Sequence, residues 1–160
     1  MSFYSEMLDN IIAAAEETRP YARIVYGSDP PENGICMIPS GGIPNETDFD
    51  KGMRLTFPIL LNGKHADQRL LLDDLTAIHE VLTKRRNYDD MNTEAVQVIN
   101  ITSMSLPAII GREQNKQWIC GSTLEVTIYW KAVAFFNMNI IAFSLRLVFG
   151  DFILYNDKAK

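Results

Sequence analysis

Two long strand-like stretches, joined by a polar turn, constrain the fold of this chain more than any other feature, and apolar and polar residues alternate clearly in VTIYW of the second stretch. The stretches are residues 95–110 and 118–130, and the linking residues GREQNKQ are polar. Alternation with a period of two puts one set of side chains on each face of an extended segment, which is typical of β-strands. The pattern predicts an antiparallel hairpin and therefore a fold that contains a sheet.

Helical spacing is found in two other segments. Apolar residues recur every three or four positions over residues 3–18, and Pro20 predicts the end of this helix. A second helix is predicted over residues 67–86, with Asp67 as its N-cap. Its apolar stripe consists of Leu71, Leu75, Ile78 and Leu82.

Three shorter segments complete the predicted sheet. Residues 22–26 and 34–39 are predicted to be short strands on either side of the turn-forming loop GSDPPENG. The segment MRLTFPILL, residues 53–61, is predicted to be a strand at an edge or with a bulge, because Pro58 has no N–H for a ladder. The sequence thus predicts an α+β fold with two helices packed on one face of a mostly antiparallel sheet.

A polar stretch, SGGIPNETDFDKG, occupies residues 40–52 and has no periodic apolar pattern. A loop of this length in a compact domain is usually functional or mobile, so we predict a contact loop. We expect it to be mobile in the isolated subunit and ordered against a neighbour. The candidate interface residues in and around it are Pro31, Asn33, Ile43, Asn45, Phe49 and Pro58.

The end of the chain differs in composition from the rest. Residues 132–155, AVAFFNMNIIAFSLRLVFGDFILY, are nearly free of charge but include Arg146 near the centre. A central arginine disfavours a membrane helix, whereas the alternating residues and the NMN turn favour strands. We predict a domain at residues 1–131 and an apolar β-like extension at residues 132–160, covered either by the same subunit or by a neighbour. Its candidate interface residues are Phe135, Phe143, Arg146 and Phe149.

Charge and composition argue against several classes of function. The formal net charge of −5 gives no long-range attraction for nucleic-acid phosphates. Hydrophobic residues make up 47% of the chain, which is enough to form a core without disulfides. We expect Cys36 and Cys120 to be buried, reduced thiols in a cytosolic compartment. The N-terminal sequence has no secretory signal pattern, so we expect a protein that stays in the cytoplasm where it is made.

Patterns of catalytic or metal-binding residues are not found in the sequence. His79 and Glu80 lack the second histidine one turn later that a metalloprotease helix has. We therefore predict that His79, like His65, is a surface or boundary residue. The glycine pair at residues 41–42 lacks the Lys-Ser/Thr ending of a phosphate-binding loop. The sequence predicts no catalytic residue, no metal site, no cofactor and no enzymatic activity.

The order of elements resembles that of a known family. The residues that carry the resemblance are MRLTFPILLNGKHADQRLLLDDLTAIHEVL, followed by VINITSMSLPAIIG and WICGSTLEVTIYW. Over roughly residues 2–130 the chain is similar to the tail terminator, or minor capsid, proteins of long-tailed bacteriophages and phage-derived particles. In that family a strand with a short polar turn leads into a helix rich in Leu and Ile, and a later hairpin strand closes the sheet. The C-terminal extension has no counterpart in this pattern.

The resemblance implies a structural virion subunit that forms a ring, commonly a hexamer. Such a ring caps the tail tube, ends its polymerisation and provides the surface that joins the head. The implied partners are copies of the chain, tail-tube proteins and head-tail connector proteins; DNA passes through without specific binding, and no membrane is involved. The implied location is the virion, after assembly in the host cytoplasm. Two alternatives stay open: another head-tail connector or collar subunit, and a small-molecule-binding or enzymatic α+β domain.

Overall fold

The computed structural model describes residues 3–41, 43–47 and 52–131, including the side chains of residues 5–41 and 52–131. Within these residues the chain has the predicted α+β fold, with helices packed against a mostly antiparallel sheet. The helices are α1 (Phe3–Glu16), α2 (Gln68–Leu82) and the short α3 (Tyr88–Met91). The strands are β1 (Ile24–Tyr26), β2 (Ile35–Pro39), β3 (Ile43–Thr47), β4 (Met53–His65), β5 (Val96–Arg112) and β6 (Trp118–Trp130).

The sheet is built around β4 and β6. Its strand order is β1-β2-β4-β6-β5, and β3 also pairs with β4. Neighbouring strands are antiparallel except β1 and β2, which are parallel. Strand β2 pairs with residues 59–63 of β4 and β3 with residues 53–56, so β2 and β3 lie end to end along one side of β4. The other side of β4 is occupied by β6 along its whole length.

Pro58 does not mark an edge strand, so that prediction is wrong. The Pro58 carbonyl accepts a hydrogen bond from the Ser40 N–H at 2.8 Å. Because the nitrogen and carbonyl of one strand residue point to the same side, the missing N–H of Pro58 faces the junction between β2 and β3. The proline therefore removes no hydrogen bond between β4 and β6, and an interior strand tolerates it.

The predicted contact loop at residues 40–52 contains a strand, so the prediction of a loop is wrong for part of it. Strand β3 pairs with β4, with Ile43 opposite Thr56, and the register shifts between Pro44 and Glu46. Backbone hydrogen bonds to β4 hold β3 in the sheet. Its register shift interrupts the alternation of apolar and polar residues by which a strand is recognised in a sequence. Phe49 lies outside the described residues.

The helices cover one face of the sheet. The predicted stripe of α2 is fully buried, with 0% exposure at Leu71, Leu75, Ile78 and Leu82. It packs in the same hydrophobic core as Leu124, Val126 and Ile128 of β6. The prediction that Asp67 caps α2 is also confirmed, because its carboxylate accepts hydrogen bonds from the backbone N–H groups of residues 69 and 70 at 2.9 and 3.3 Å.

Helix α2 ends four residues before the predicted position. The backbone of Lys84 is extended, with ψ of 110°, and a 3-10 turn then leads into α3, which the sequence did not predict. Helix α3 buries Tyr88 and Met91. The Tyr88 hydroxyl accepts from the Ile101 N–H at 2.8 Å and donates to the Ile101 carbonyl at 3.2 Å. Helix α3 thus holds the first half of β5.

The predicted C-terminal extension, residues 132–160, lies outside the described residues, and its boundary with a domain at residues 1–131 stays a prediction. The same applies to Phe135, Phe143, Arg146 and Phe149. Just before it, the Lys131 N–H donates to the Ala95 carbonyl at 2.8 Å. The chain therefore leaves the sheet beside the start of β5. None of the described helices is long and apolar enough to cross a membrane.

Candidate assembly surfaces

The interface residues predicted from the sequence do not come together on one surface. Pro31 and Asn33 are exposed in the loop between β1 and β2, next to the turn that joins β5 to β6. Ile43 and Asn45 lie in β3, at the other end of the sheet, because β3 pairs with the opposite half of β4. Pro58 is half-buried in the interior strand between these two regions.

The loop that carries Pro31 and Asn33 is held in place by the β5–β6 turn. The Asn33 N–H donates to Gln117 Oε1 at 3.2 Å. Lys64 Nζ lies 2.8 Å from both Asp29 Oδ1 and Glu113 Oε1, and these two carboxylates raise the pKa of Lys64. Only 8% of Lys64 is exposed, so the pair of carboxylates compensates a buried charge. This end of the molecule is a preformed cluster of loops.

His79 is buried, with 3% exposure, so the prediction that it is a surface or boundary residue is wrong. Its Nδ1 lies 2.8 Å from Ser103 Oγ and its Nε2 lies 2.8 Å from Ser122 Oγ. Two strands of the sheet therefore provide the hydrogen bonds that allow an imidazole to be buried beneath α2. Burial also lowers the pKa of His79. A serine at position 122, within the otherwise apolar buried series of β6, is the sequence signal for a buried polar partner.

The hydrogen bonds of Ser122 define the tautomer of His79. The Ser122 hydroxyl donates to the Leu61 carbonyl at 3.2 Å, so Ser122 Oγ accepts from Nε2–H of His79. Nδ1 then accepts from the Ser103 hydroxyl, as in a serine activated by a general base. Catalysis also needs a pocket with convergent polar groups.

One surface cavity lies at the other edge of the sheet. A cavity of about 300 Å³ is lined by Ser5, Leu8, Asp9 and Tyr26, beside β1 at the opposite edge of the sheet from Ser103. We interpret the cluster of His79, Ser103 and Ser122 as structural, because its hydrogen bonds tie α2 to β5 and β6.

The two cysteines are buried, as predicted, and both are free thiols. Burial raises the pKa of Cys36 and of Cys120 to about 11, so both stay protonated near neutral pH. In the part of the chain that the structure describes, no three or more His, Cys, Asp or Glu residues are grouped so that they could hold a metal ion.

Strand β5 carries exposed apolar side chains on the sheet edge. Their exposure is 36% for Ile99, 62% for Met104, 68% for Leu106 and 70% for Ile110. We call these four residues the β5 apolar row. Strand β5 ends the strand order of the sheet, and among the described residues no strand lies beyond it. The row therefore lies on a strand whose outer edge is available for a contact.

Each member of the row lies where β5 slips against β6. Val98 is opposite Ile128 and Asn100 is opposite Thr127, so Ile99 has no residue directly opposite. Three further shifts of this kind occur in β5. Met104 lies in the shift between 103 and 105, Leu106 in the shift between 105 and 108, and Ile110 in the shift between 109 and 111. Strand β5 has 17 residues and β6 has 13, so β5 accommodates its extra residues as bulges. The bulges interrupt the regular ladder at the positions of these four apolar side chains.

Comparison of the sequence with protein-family models and with curated proteins gives no match. The choice of function therefore depends on the geometry of the sheet edges and on the resemblance in the order of elements.

Proposed function

We propose that this protein is a structural virion subunit that assembles with copies of itself into a ring. The ring caps a phage tail tube, ends its polymerisation and provides the head-to-tail joining surface, within a virion assembled in the host cytoplasm. The observation that carries the proposal is the β5 apolar row on the edge of the sheet. The tail-specific part of the proposal is supported by the resemblance in the order of elements.

The exposure of the row favours a partner. Burying a large aliphatic side chain contributes about 1.5 to 3 kcal/mol relative to leaving it in water. Met104, Leu106 and Ile110 are more than half exposed and lie close together on one strand. A cluster of this kind on a sheet edge is typical of a protein interaction site. Single exposed apolar residues, in contrast, are common on monomers and need no explanation.

The bulges favour a selective contact. A long and regular edge strand can pair with many other strands, and natural proteins often interrupt such edges with bulges. In β5 four register shifts interrupt the ladder, while the apolar side chains stay accessible. A partner must therefore fit the side chains of the row as well as offer backbone groups. This requirement suits a subunit that must assemble in one register.

The two edges of the sheet are different, so a contact between the β5 edge of one copy and the β1 edge of the next would join unlike surfaces. The β5 edge carries the row, and the β1 edge exposes Val25 and Tyr26 at 40% and 63%. Contacts between two different surfaces of identical subunits form rings when the rotation closes. The net charge of −5 is consistent with a ring whose opening does not bind DNA. We expect the further partners to be tail-tube and head-tail connector proteins.

The proposal is tested by images of the purified full-length protein and by its effect on tail tubes. We expect negative-stain images to show closed rings of uniform size. Added to polymerising tail-tube protein, the rings should shorten the tubes and be visible at one end of each tube. Monomers at all concentrations would contradict ring formation. Rings that leave tube length unchanged would contradict the terminator role and favour another connector or collar subunit.

A further inference from the structure

The β5 apolar row is exposed in the described chain, so the proposed assembly offers a surface that can cover it. Three occupants are available: the β1 edge of a second copy, the C-terminal segment of the same chain, and the C-terminal segment of an adjacent copy. Residues 132–160 follow the last described residue, Lys131.

The chain leaves the sheet beside the start of β5. Trp130 is opposite Val96, and the Lys131 N–H bonds to the Ala95 carbonyl at 2.8 Å. The C-terminal segment therefore begins beside the first residues of β5. The most exposed members of the row, Leu106 and Ile110, lie toward the other end of the same strand.

The segment is long enough to cover the row and to reach another subunit. From Ile99 to Ile110 the strand measures at most about 36 Å at a rise of about 3.3 Å per residue. Residues 132–160, fully extended, span about 95 Å. One pass along the row thus uses less than half of the available length. The remainder is sufficient for a connection between neighbouring subunits.

The chemistry of the segment matches that of the row. Residues 141–149 have the sequence IAFSLRLVF, in which large apolar residues occupy every second position. As an extended segment, it would present one continuous apolar face. A contact between the row and this segment removes apolar surface of both from water, which is favourable. Because the ladder of β5 is bulged, side chains contribute more to this contact than regular strand pairing does.

The direction in which the C-terminal segment would run along β5 favours the segment of an adjacent copy over that of the same chain. A segment that leaves beside the start of β5 and turns back directly along its outer edge runs parallel to β5. Parallel pairing is slightly weaker and usually needs a longer crossover connection. The segment of a neighbouring copy has no such restriction and can run antiparallel to β5.

We infer that the β5 apolar row of one copy is covered by residues 133–155 of an adjacent copy. This inference rests on the proposed function, because it names the contact that links subunits of the ring. Each subunit then donates one segment and accepts one, so the contact is heterologous and can close into a ring.

Disulfide trapping between two full-length variants tests the inference. One variant carries Leu106→Cys, and the other carries Phe143→Cys or, in a second sample, Phe149→Cys. Because the native thiols are buried with raised pKa values, they interfere little with the new ones. We expect mixing and mild oxidation to give a disulfide-linked heterodimer in at least one sample. The matched control replaces Leu106→Cys by Tyr26→Cys, at a similarly exposed position on the β1 edge, and should give no heterodimer.

Three results would overturn the inference. One is the absence of a Leu106→Cys heterodimer with both segment variants. The second is an equal yield with Tyr26→Cys, which would place the segment at the β1 edge or show unspecific contact. The third is a disulfide that forms only when Leu106→Cys and Phe143→Cys are in the same chain, since the segment would then cover its own strand. Native mass of the wild-type protein separates these outcomes from failure of the proposed function: an oligomer without the trapped disulfide rejects only the inference.

Discussion

The first half of β5 is covered by helices, whereas the second half is open to solvent, although both halves pair with β6. Val96, Val98 and Ile101 in the first half are 0% to 4% exposed, and the Tyr88 hydroxyl holds Ile101. Met104 and Ile110 in the second half are 62% and 70% exposed. Both halves contain large apolar residues. Exposure depends on the face of the strand as well as on the half, because Ile99 in the first half is 36% exposed and Ile109 in the second half packs against the core. The buried residues stabilise the fold, and the exposed ones are available for assembly.

The largest expected effect compares the same substitution in the two halves. Ile101→Ala should lower the free energy of unfolding by about 2 to 5 kcal/mol, because it leaves a cavity in the packed core. Ile110→Ala, the matched control, should change it by about 0.5 kcal/mol or less, because the side chain is exposed. Urea unfolding at a concentration where the protein is monomeric measures both values. Similar losses for the two variants would contradict the division of β5 into two halves.

A smaller effect is expected from Tyr88→Phe. This change removes the hydroxyl that accepts from the Ile101 N–H and leaves a buried donor without its partner. An unsatisfied buried group costs about 1 to 3 kcal/mol. Hydrogen exchange should accelerate at the Ile101 amide and its neighbours in the first half, with little change near residues 104–110. Uniform acceleration along β5 would show that the two halves open as one unit.

The pH dependence tests the cluster at the junction of the two halves, where Ser103 bonds to His79. Burial holds the folded-state pKa of His79 below its ordinary value of about 6.5, so the unfolded state binds more protons. This contribution to stability is complete above about pH 6.5 and decreases as the pH falls, by at most about 1.4 kcal/mol per pH unit. Unfolding measured from pH 8 to 5 should show a shallower slope for His79→Gln than for the wild type. Parallel pH profiles of the two proteins would contradict a buried neutral imidazole.

The smallest expected effect on stability belongs to Leu106→Ser. The side chain is 68% exposed, so the change should alter the free energy of unfolding of the monomer by about 0.5 kcal/mol or less. The same change removes an apolar contact of the proposed interface and should raise the dissociation constant of the assembly. Analytical ultracentrifugation of variant and wild type measures it. An unchanged constant would remove Leu106 from the interface.

Local periodicity explains what the sequence could predict. The stripe of α2, the Asp67 cap and the β5–β6 hairpin each depend on residues close together in sequence, and the structure confirms all three. The interior position of Pro58 could not be predicted, because it depends on where β2 ends and β3 begins along β4. The burial of His79 likewise depends on serines from two distant strands.

The sequence indicates that β5 contains bulges but not where they lie. The two stretches of the predicted hairpin, residues 95–110 and 118–130, differ in length, and a longer strand must accommodate extra residues against a shorter one. Their positions could not be predicted, because isoleucine, methionine and leucine at the bulges suit a regular strand equally well. The apolar row, the feature with most bearing on function, was therefore the least accessible to sequence reasoning.

Native mass spectrometry of the full-length protein tests the central claim most directly. We expect one discrete oligomer for the wild type. Leu106→Asp, which places a charge in the row, should give a folded monomer with unchanged circular dichroism. Tyr26→Asp, on the β1 edge, should assemble if the row is covered by the C-terminal segment. A wild-type protein that stays monomeric, or a Leu106→Asp variant that forms the same oligomer, would contradict assembly through the β5 apolar row.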